Sequence, residues 1–418
     1  MTDPLFVYFE SWEIGSLTLD DNYRFLFKYS DDWLLKSDHF PVSLSMPLEQ
    51  KVYANEAHAY FTNLLPEGAL RSLICQKLKI SESNHYELLK RIGGECAGAI
   101  RVLSEDDDIS IFPPSYQVLD EHQTAEMMIT QGAYGHKSVR LSLAGAQYKL
   151  PVYRENDNKL YCPLNGSPSS HILKFPNLLY QHLPEYEILS TAIASILGLN
   201  AIEILPIQLG NGTLASLSRR YDRILRQGSL FRLHQEDFCQ VMGKPPYQKY
   251  EEENGPGFKD CMAIINKFSS TPVLDRKVLM EWLVFNVLIG NCDAHAKNLS
   301  FLFSDGKVRL SPSYDLVCTL MYPRLATSMA MSIGEAKQVQ NVKKSDWEIL
   351  AKQLNLNPKL LLNTVEKMAV TLLDNSKCRE ELYGLGINEQ IIIRLHKKIQ
   401  KQGRNILSKM GPTSRTGA

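Results

Sequence analysis

The chain has 418 residues, 44% of them apolar and 22% charged, and its 46 Lys and Arg side chains balance 46 Asp and Glu. That length exceeds a usual single domain, so two lobes around a cleft are expected, and zero net charge excludes a global field drawing the molecule to nucleic acid or an anionic membrane. Cysteines at 75, 96, 162, 239, 261, 292, 318 and 378 show no CxxC spacing, which reads as reduced thiols rather than a disulfide frame. Cys292 and His295 have a metal-like separation, but no second pair completes a tetrahedral zinc site. The N-terminus is acidic where a signal peptide is basic, and no apolar run approaches the ~20 residues of a membrane span, so a cytoplasmic location is expected.

From residue 5 to about 35 the pattern alternates apolar and polar side chains around Gly15, which predicts a small sheet. Leu70, Leu73, Ile74 and Leu78 are spaced for an amphipathic helix beginning after Pro66 and Gly68, and YELLKRIGG predicts a second one ending at Gly93 and Gly94. The acidic run 105–108 and Pro113-Pro114 mark a solvated junction. SVRLSLAGAQYKLPV then reads as two strand-like segments around a small-residue loop, Ala144, Gly145 and Ala146. Small side chains let backbone N–H groups approach a polyphosphate, although an ordinary hairpin has the same pattern.

HILKFPN places Lys174 in an apolar strand, where an unpaired ammonium is costly and calls for an anion; snorkelling to solvent at the strand end is the bland alternative. The helical segment that follows supplies Glu187 as a possible partner. Two more strands are predicted at 201–210 and 213–223, the second ending in Arg219, Arg220 and Tyr221. Beyond residue 231 helical patterns dominate: HQEDFCQVM, GFKDCMAIINKF, VLDRKVLMEWLVFNVLIG and several C-terminal segments, with one short hairpin at 299–310. After Glu389 the C-terminus carries basic residues and no acids, which suits a solvated helix face or a local anion contact.

The centre of the chain is 281–317. An apolar run ends at Gly290 and hands over to a polar loop with Asp293 and Asn298 five residues apart, followed after the hairpin by Asp315 in SPSYDLV. Phosphoryl transfer uses that order: one carboxylate accepts a hydroxyl proton, while a carboxamide five residues on and a later acid hold the metal. The same residue types also serve as a helix cap and a turn start.

Taken in order, SLAGAQYK, HILKFP, the helix glutamate, RRYDR, HQEDFCQ, GNCDAHAKN and SYDLV resemble the signature set of the HipA family of serine/threonine-protein kinase toxins. The N-terminal third, with LSMPL, FTNLLPEG and IGGECAGAI, resembles the small domain that precedes the family's kinase core. The resemblance implies an α+β, two-lobed protein-kinase-like fold, with an N-terminal subdomain at 1–110, a strand-rich N-lobe at 111–230 and an all-α C-lobe at 231–418. It implies a phosphate-binding loop at Ala144, Gly145, Ala146, Gln147, Tyr148 and Lys149, a nucleotide-anchoring Lys174, and hinge residues Arg219, Arg220 and Tyr221. Asp293 falls on the catalytic aspartate, and Asn298 and Asp315 on the Mg2+ ligands. His295, Ala296, Lys297, Tyr314, Leu316 and Val317 border the ATP, and Ser142 falls on the autophosphorylated, self-inhibiting serine. Cys292 departs from the family pattern, which has threonine there. Implied partners are a HipB-like helix-turn-helix antitoxin dimer, operator DNA mainly through that antitoxin, and a protein substrate such as glutamyl-tRNA synthetase, another aminoacyl-tRNA synthetase or a translation factor.

Two other readings stay open from the residues alone. Asp-x-His-x-x-Asn at 293–298 also resembles the catalytic loop of phosphoinositide kinases, though no basic amphipathic helix sits beside it in sequence to meet a membrane. A catalytically idle co-repressor partner of a DNA-binding antitoxin is the third, against which the complete set of acids and the lysine counts.

Overall fold

The computed structural model of the chain describes residues 3–107, 109, 114–120, 124, 147–155, 159–177, 179–374 and 380–411. Ser142, Ala144, Gly145 and Ala146 lie outside the described residues. The chain forms two compact units and passes between them several times. The first comprises Met1–Asn177, Ile207–Gln248 and Ser300–Val308, the second Leu178–Pro206, Lys249–Leu299 and Arg309–Ala418.

In the first unit, strands β1 (Leu5–Phe9), β2 (Trp12–Leu19), β3 (Phe25–Tyr29), β4 (Val52–Tyr53) and β5 (Ile100–Leu103) form an antiparallel sheet in the order β4-β3-β2-β1-β5. Alternation sends Leu5, Val7, Leu17, Phe25 and Phe27 to one core, packed with Trp33, Tyr60, Phe61, Leu88 and Leu89. Each large side chain buried in this way contributes about 1.5–3 kcal/mol. The predicted helices are α3 (Gly68–Leu78) and α4 (His85–Ile92); the structure adds the short α1 (Asp31–Leu35) and also α2 (Asn55–Asn63), whose Ala57, Tyr60 and Phe61 belong to that core.

A six-stranded sheet follows: β6 (Ser115–Val118), β7 (Lys149–Arg154), β8 (Leu160–Leu164), β9 (His171–Lys174), β10 (Ile204–Gln208) and β11 (Leu214–Arg219), in the order β10-β11-β9-β7-β8-β6. Its core holds Leu150, Val152, Leu173, Phe175, Ala215 and Leu217. The hairpin β12 (Arg223–Arg226) with β13 (Ser229–Arg232) comes next, and β14 (His234–Asp237) pairs with β15 (Ser300–Ser304). HQEDFCQVM is therefore not one helix. Its first four residues take β-sheet hydrogen bonds from 300–303, and only Phe238–Val241 turns helical, started by a capping box between Asp237 and Gln240. Local periodicity lost to an available strand partner.

The second unit is mainly helical: Leu183–Ile196, Phe258–Phe268, Pro272–Ile289, Lys344–Gln353, Pro358–Leu373 and Glu389–Ser408. Helix Pro272–Ile289 is its apolar axis, with Trp282, Leu283, Phe285, Leu288 and Ile289 buried. The unit is not purely α. Strands β17 (Ser328–Ile333) and β18 (Ala336–Gln338) make a hairpin that buries Met329, Ala330 and Met331, after β16 (Lys307–Leu310). The basic C-terminal helix is amphipathic: Ile392, Leu395, Ile399 and Ile406 are buried, while Arg394, Lys397, Lys401 and Arg404 face solvent.

Candidate active site

Helix Pro272–Ile289 delivers the central loop. It ends at Gly290, whose φ of 71° lies in the left-handed region, and a Cβ there would stand 2.4 Å from Leu320 Cδ1. Only glycine meets both demands without strain. Beyond it, each peptide is tied down. Asn291 donates through Nδ2 to Asn286 Oδ1 at 2.8 Å and accepts at Oδ1 from the Asp293 N–H at 3.1 Å. Cys292 N–H donates to Thr319 Oγ1 at 2.8 Å, Thr319 Oγ1 donates to Gly290 C=O at 3.1 Å, and Cys292 C=O accepts from Ala330 N–H at 2.8 Å. The Cys292 side chain is buried, and burial pushes its thiol above the ordinary range, which opposes oxidation through the thiolate.

The Asp293 carbonyl accepts from His295 N–H at 2.9 Å and from Asn298 Nδ2 at 3.1 Å. With its amide nitrogen committed in this way, Asn298 presents Oδ1 as the end of the carboxamide that can meet a cation. The Asp293 carboxylate is half-exposed, at 55%, and Oδ1 accepts from the Tyr250 hydroxyl at 2.8 Å; His295 Nε2 stands 3.9 Å from the same oxygen. The Tyr250 and His295 rings meet edge to face, 5.5 Å between centroids. The loop 314–317 is joined to 296–298 by a 2.8 Å bond from the Tyr314 hydroxyl to Lys297 C=O. Its base is anchored by Ser313, whose N–H donates to Asn200 C=O at 2.7 Å. Asp315 adopts φ 52°, an uncommon conformation for a residue with a side chain, next to buried Leu316. The second unit thus ties the two polar stretches 293–298 and 314–317 together.

The first unit assembles a separate set. In the antiparallel register, Lys149 on β7 is the direct partner of Lys174 on β9, and Lys174 is in turn the partner of Ser216 on β11. Directly opposed residues share a face, so two ammonium-bearing side chains project side by side, an arrangement that repels unless anions lie nearby. Lys174 is buried at 3% exposure. Tyr148 stacks on Phe175 with centroids 4.8 Å apart, and among the described residues Gln147 Nε2 and the Tyr148 hydroxyl are buried without a hydrogen-bond partner. Those orphaned donors beside two cations are the chemistry a polyphosphate or nucleotide satisfies. Arg219 pairs with His171, while Arg220 is buried and its guanidinium is committed to Glu95 and Asp222. Tyr221 donates its hydroxyl to Gln235 Oε1. Glu187 is buried on helix Leu183–Ile196.

Among the described residues no three His, Cys, Asp or Glu side chains gather to hold a metal by themselves. A nucleotide-bound Mg2+ does not require that: one or two protein oxygens suffice beside phosphates, and Asn298 Oδ1 with the Asp315 carboxylate are hard donors of that kind. Tyr250 was missed in the sequence because it lies in a charged, turn-rich stretch without a periodic signal; only its hydroxyl's contact with Asp293 singles it out.

Residues 141–375 match the model of the HipA-like C-terminal domain, and residues 5–103 that of the HipA N-terminal domain. The protein Y4mE of Sinorhizobium fredii is 34% identical over 385 residues, 88% of this chain and 89% of its own. The serine/threonine-protein kinase toxin HipA of Shewanella oneidensis is 28% identical over 85% of this chain and 84% of its own. The solved complex of Shewanella oneidensis MR-1 HipA with HipB and its operator DNA contains a chain that superposes with a TM-score of 0.83, at 24% identity over 97% of both chains. That superposition gives the fold as α+β, two-lobed and kinase-like. The C-terminal model spans more than half of the sequence and the N-terminal model covers residues 5–103 ahead of it, so the chain belongs to the HipA family.

Proposed function

We propose that the protein is a serine/threonine-protein kinase toxin that uses ATP with Mg2+ and is restrained by a HipB-like helix-turn-helix antitoxin dimer. One observation carries the reading: Asp293 presents an exposed carboxylate while its own carbonyl orients the carboxamide of Asn298, five residues on. Asp293 orients the acceptor serine hydroxyl and takes its proton as the γ-phosphoryl group leaves ADP. Asn298 and Asp315 hold Mg2+, which when bound supplies positive charge against the phosphates. Lys149 and Lys174 draw the phosphates to the β7/β9 face, with Gln147, Tyr148 and the small residues Ala144, Gly145 and Ala146 as the phosphate-binding loop. Arg219, Arg220 and Tyr221 form the hinge, and His295, Ala296, Lys297, Tyr314, Leu316 and Val317 border the nucleotide.

Autophosphorylation of Ser142 switches the enzyme off, since a phosphate of about two negative charges repels those of ATP. The substrate is a cytoplasmic translation protein, an aminoacyl-tRNA synthetase of the glutamyl type or a translation factor. The relative solved with HipB and operator DNA supports the antitoxin partner, through which this chain meets DNA. Among the described residues no helix is long and apolar enough to cross a membrane.

The test is incubation of the purified protein with γ-labelled ATP and Mg2+, alone and with a bacterial lysate. Label is expected in protein, on serine, with Ser142 among the sites by mass spectrometry. Asp293→Asn is expected to slow transfer by about 10³-fold in a protein that still folds. Wild-type labelling by that variant removes Asp293 as the base.

A further inference from the structure

The loop 93–99, which links α4 to β5, belongs to the N-terminal family domain, yet Glu95, Cys96 and Gly98 bond residues of the C-terminal one, chiefly in the segment 219–223. Glu95, 1% exposed, accepts at Oε1 from Arg220 Nη1 at 3.0 Å, Arg223 Nη2 at 2.8 Å and Ser169 Oγ at 2.8 Å. At Oε2 it accepts from Arg232 Nε at 3.0 Å and from Arg232 Nη2. Cys96 C=O takes a second Arg220 donor at 3.0 Å. Gly98 donates its N–H to Asp222 Oδ2 at 2.8 Å and accepts at its C=O from Arg223 Nη1 at 3.0 Å. Its φ of 80° and a would-be Cβ 3.0 Å from Gln235 N and O admit no side chain without strain. Asp222 closes the set with two bonds from Arg220, at 2.9 and 2.7 Å.

Three guanidiniums here face two carboxylates out of water. Burial alone would push the Glu95 carboxyl up, but Arg232, Arg223 and Arg220 together hold it well below the usual carboxylate range. Removing its charge leaves three cations around Asp222 alone, and buried like charges relax by moving apart. The segment that would move carries Arg219, Arg220 and Tyr221.

We propose that Glu95, with the backbone of Cys96 and Gly98, is a positioning residue for nucleotide binding, holding 219–221 in the geometry that receives ATP. The N-terminal domain is then a working part of the nucleotide site rather than a separable module. This rests on the kinase reading above and deepens it.

The experiment measures binding of a fluorescent ATP analogue with Mg2+ to the full chain, together with melting temperature and kcat at saturating ATP. Glu95→Gln keeps the volume and removes the charge; it is expected to raise Kd at least about tenfold while kcat stays within about threefold. Adding Arg232→Gln restores the original charge balance and is expected to recover part of the affinity, whereas two independent anchors would lose affinity further. A lowered melting temperature with unchanged Kd overturns the positioning role. Should Glu95→Gln fail to fold, Arg232→Gln alone decides: at least about a threefold rise in Kd supports the proposal, and an unchanged Kd overturns it. Failure of the wild-type chain to bind the analogue overturns the kinase reading and this proposal with it, whereas equal binding by wild type and variant overturns the positioning role alone.

Discussion

The β7/β9 face and the 290–298 loop hold their chemistry by opposite means. Lys149 and Lys174 stand side by side because antiparallel register makes them partners. Asp293 lies in irregular backbone and Asn298 ends a single 3-10 turn, Ala296–Asn298; Thr319, Ala330, Asn291 and the Asp293 carbonyl fix the backbone and the carboxamide one bond at a time. Repeating backbone geometry suffices to juxtapose like charges for a polyanion. Aiming the proposed base and metal ligand takes irregular backbone, which must be satisfied locally because its peptide groups have no ladder to join.

The difference can be broken from either side. On the strand face, Lys174→Met should raise the KM for ATP by about 10–100-fold. Initial rates across ATP concentrations measure it, and an unchanged KM would remove Lys174 from the proposed phosphate site. On the loop, Gly290→Ala should cost stability as well as activity, by about 1–3 kcal/mol in a denaturant melt, because the residue meets both a positive φ and the Leu320 side chain.

Glu236 sharpens the contrast with Glu95. Both carboxyls are buried in the first unit, but Glu236 meets only neutral donors, Ser43 Oγ at 2.7 Å and Leu44 N–H at 2.8 Å, and burial pushes it up to about 8. Its folded value lies above the unfolded one, so its proton-linked stabilisation is complete below the unfolded value and is lost as pH rises through about 8. Glu236→Gln should therefore flatten the fall in stability between pH 5 and 8, an effect on the order of 4 kcal/mol in melts across that range. A parallel pH profile in the variant would assign the slope to another group.

The smallest effect is expected at Tyr250, whose hydroxyl occupies the Asp293 oxygen that the proposed acceptor serine would need. Tyr250→Phe frees that oxygen and should raise the transfer rate at low substrate about two- to fivefold, the worth of one modest hydrogen bond. A fall in rate would make Tyr250 a support for the base instead of a competitor.

Much of this architecture is legible in one dimension. The helix Pro272–Ile289 and its glycine stop follow from a mostly apolar run that ends at Gly290, the first sheet from period-two alternation, and the interest of Lys174 from an ammonium in an apolar strand. The spacing of Asp293, Asn298 and Asp315 needs no coordinates to suggest phosphoryl transfer. These signals survive because each depends on neighbours within a few residues, where covalent geometry already dictates what faces what.

Folding alone settled the remainder. HQEDFCQVM is half strand because 300–303 lie alongside it, and the 328–338 hairpin carries no signal strong enough to outweigh its helical surroundings. Lys149 opposite Lys174, Tyr250 on Asp293, and Glu95 among Arg220, Arg223 and Arg232 join residues separated by 25 to more than a hundred positions. Such encounters are selected by burying the whole chain at once. Charge pairing and strand register are energies of position in space, and local sequence does not encode them.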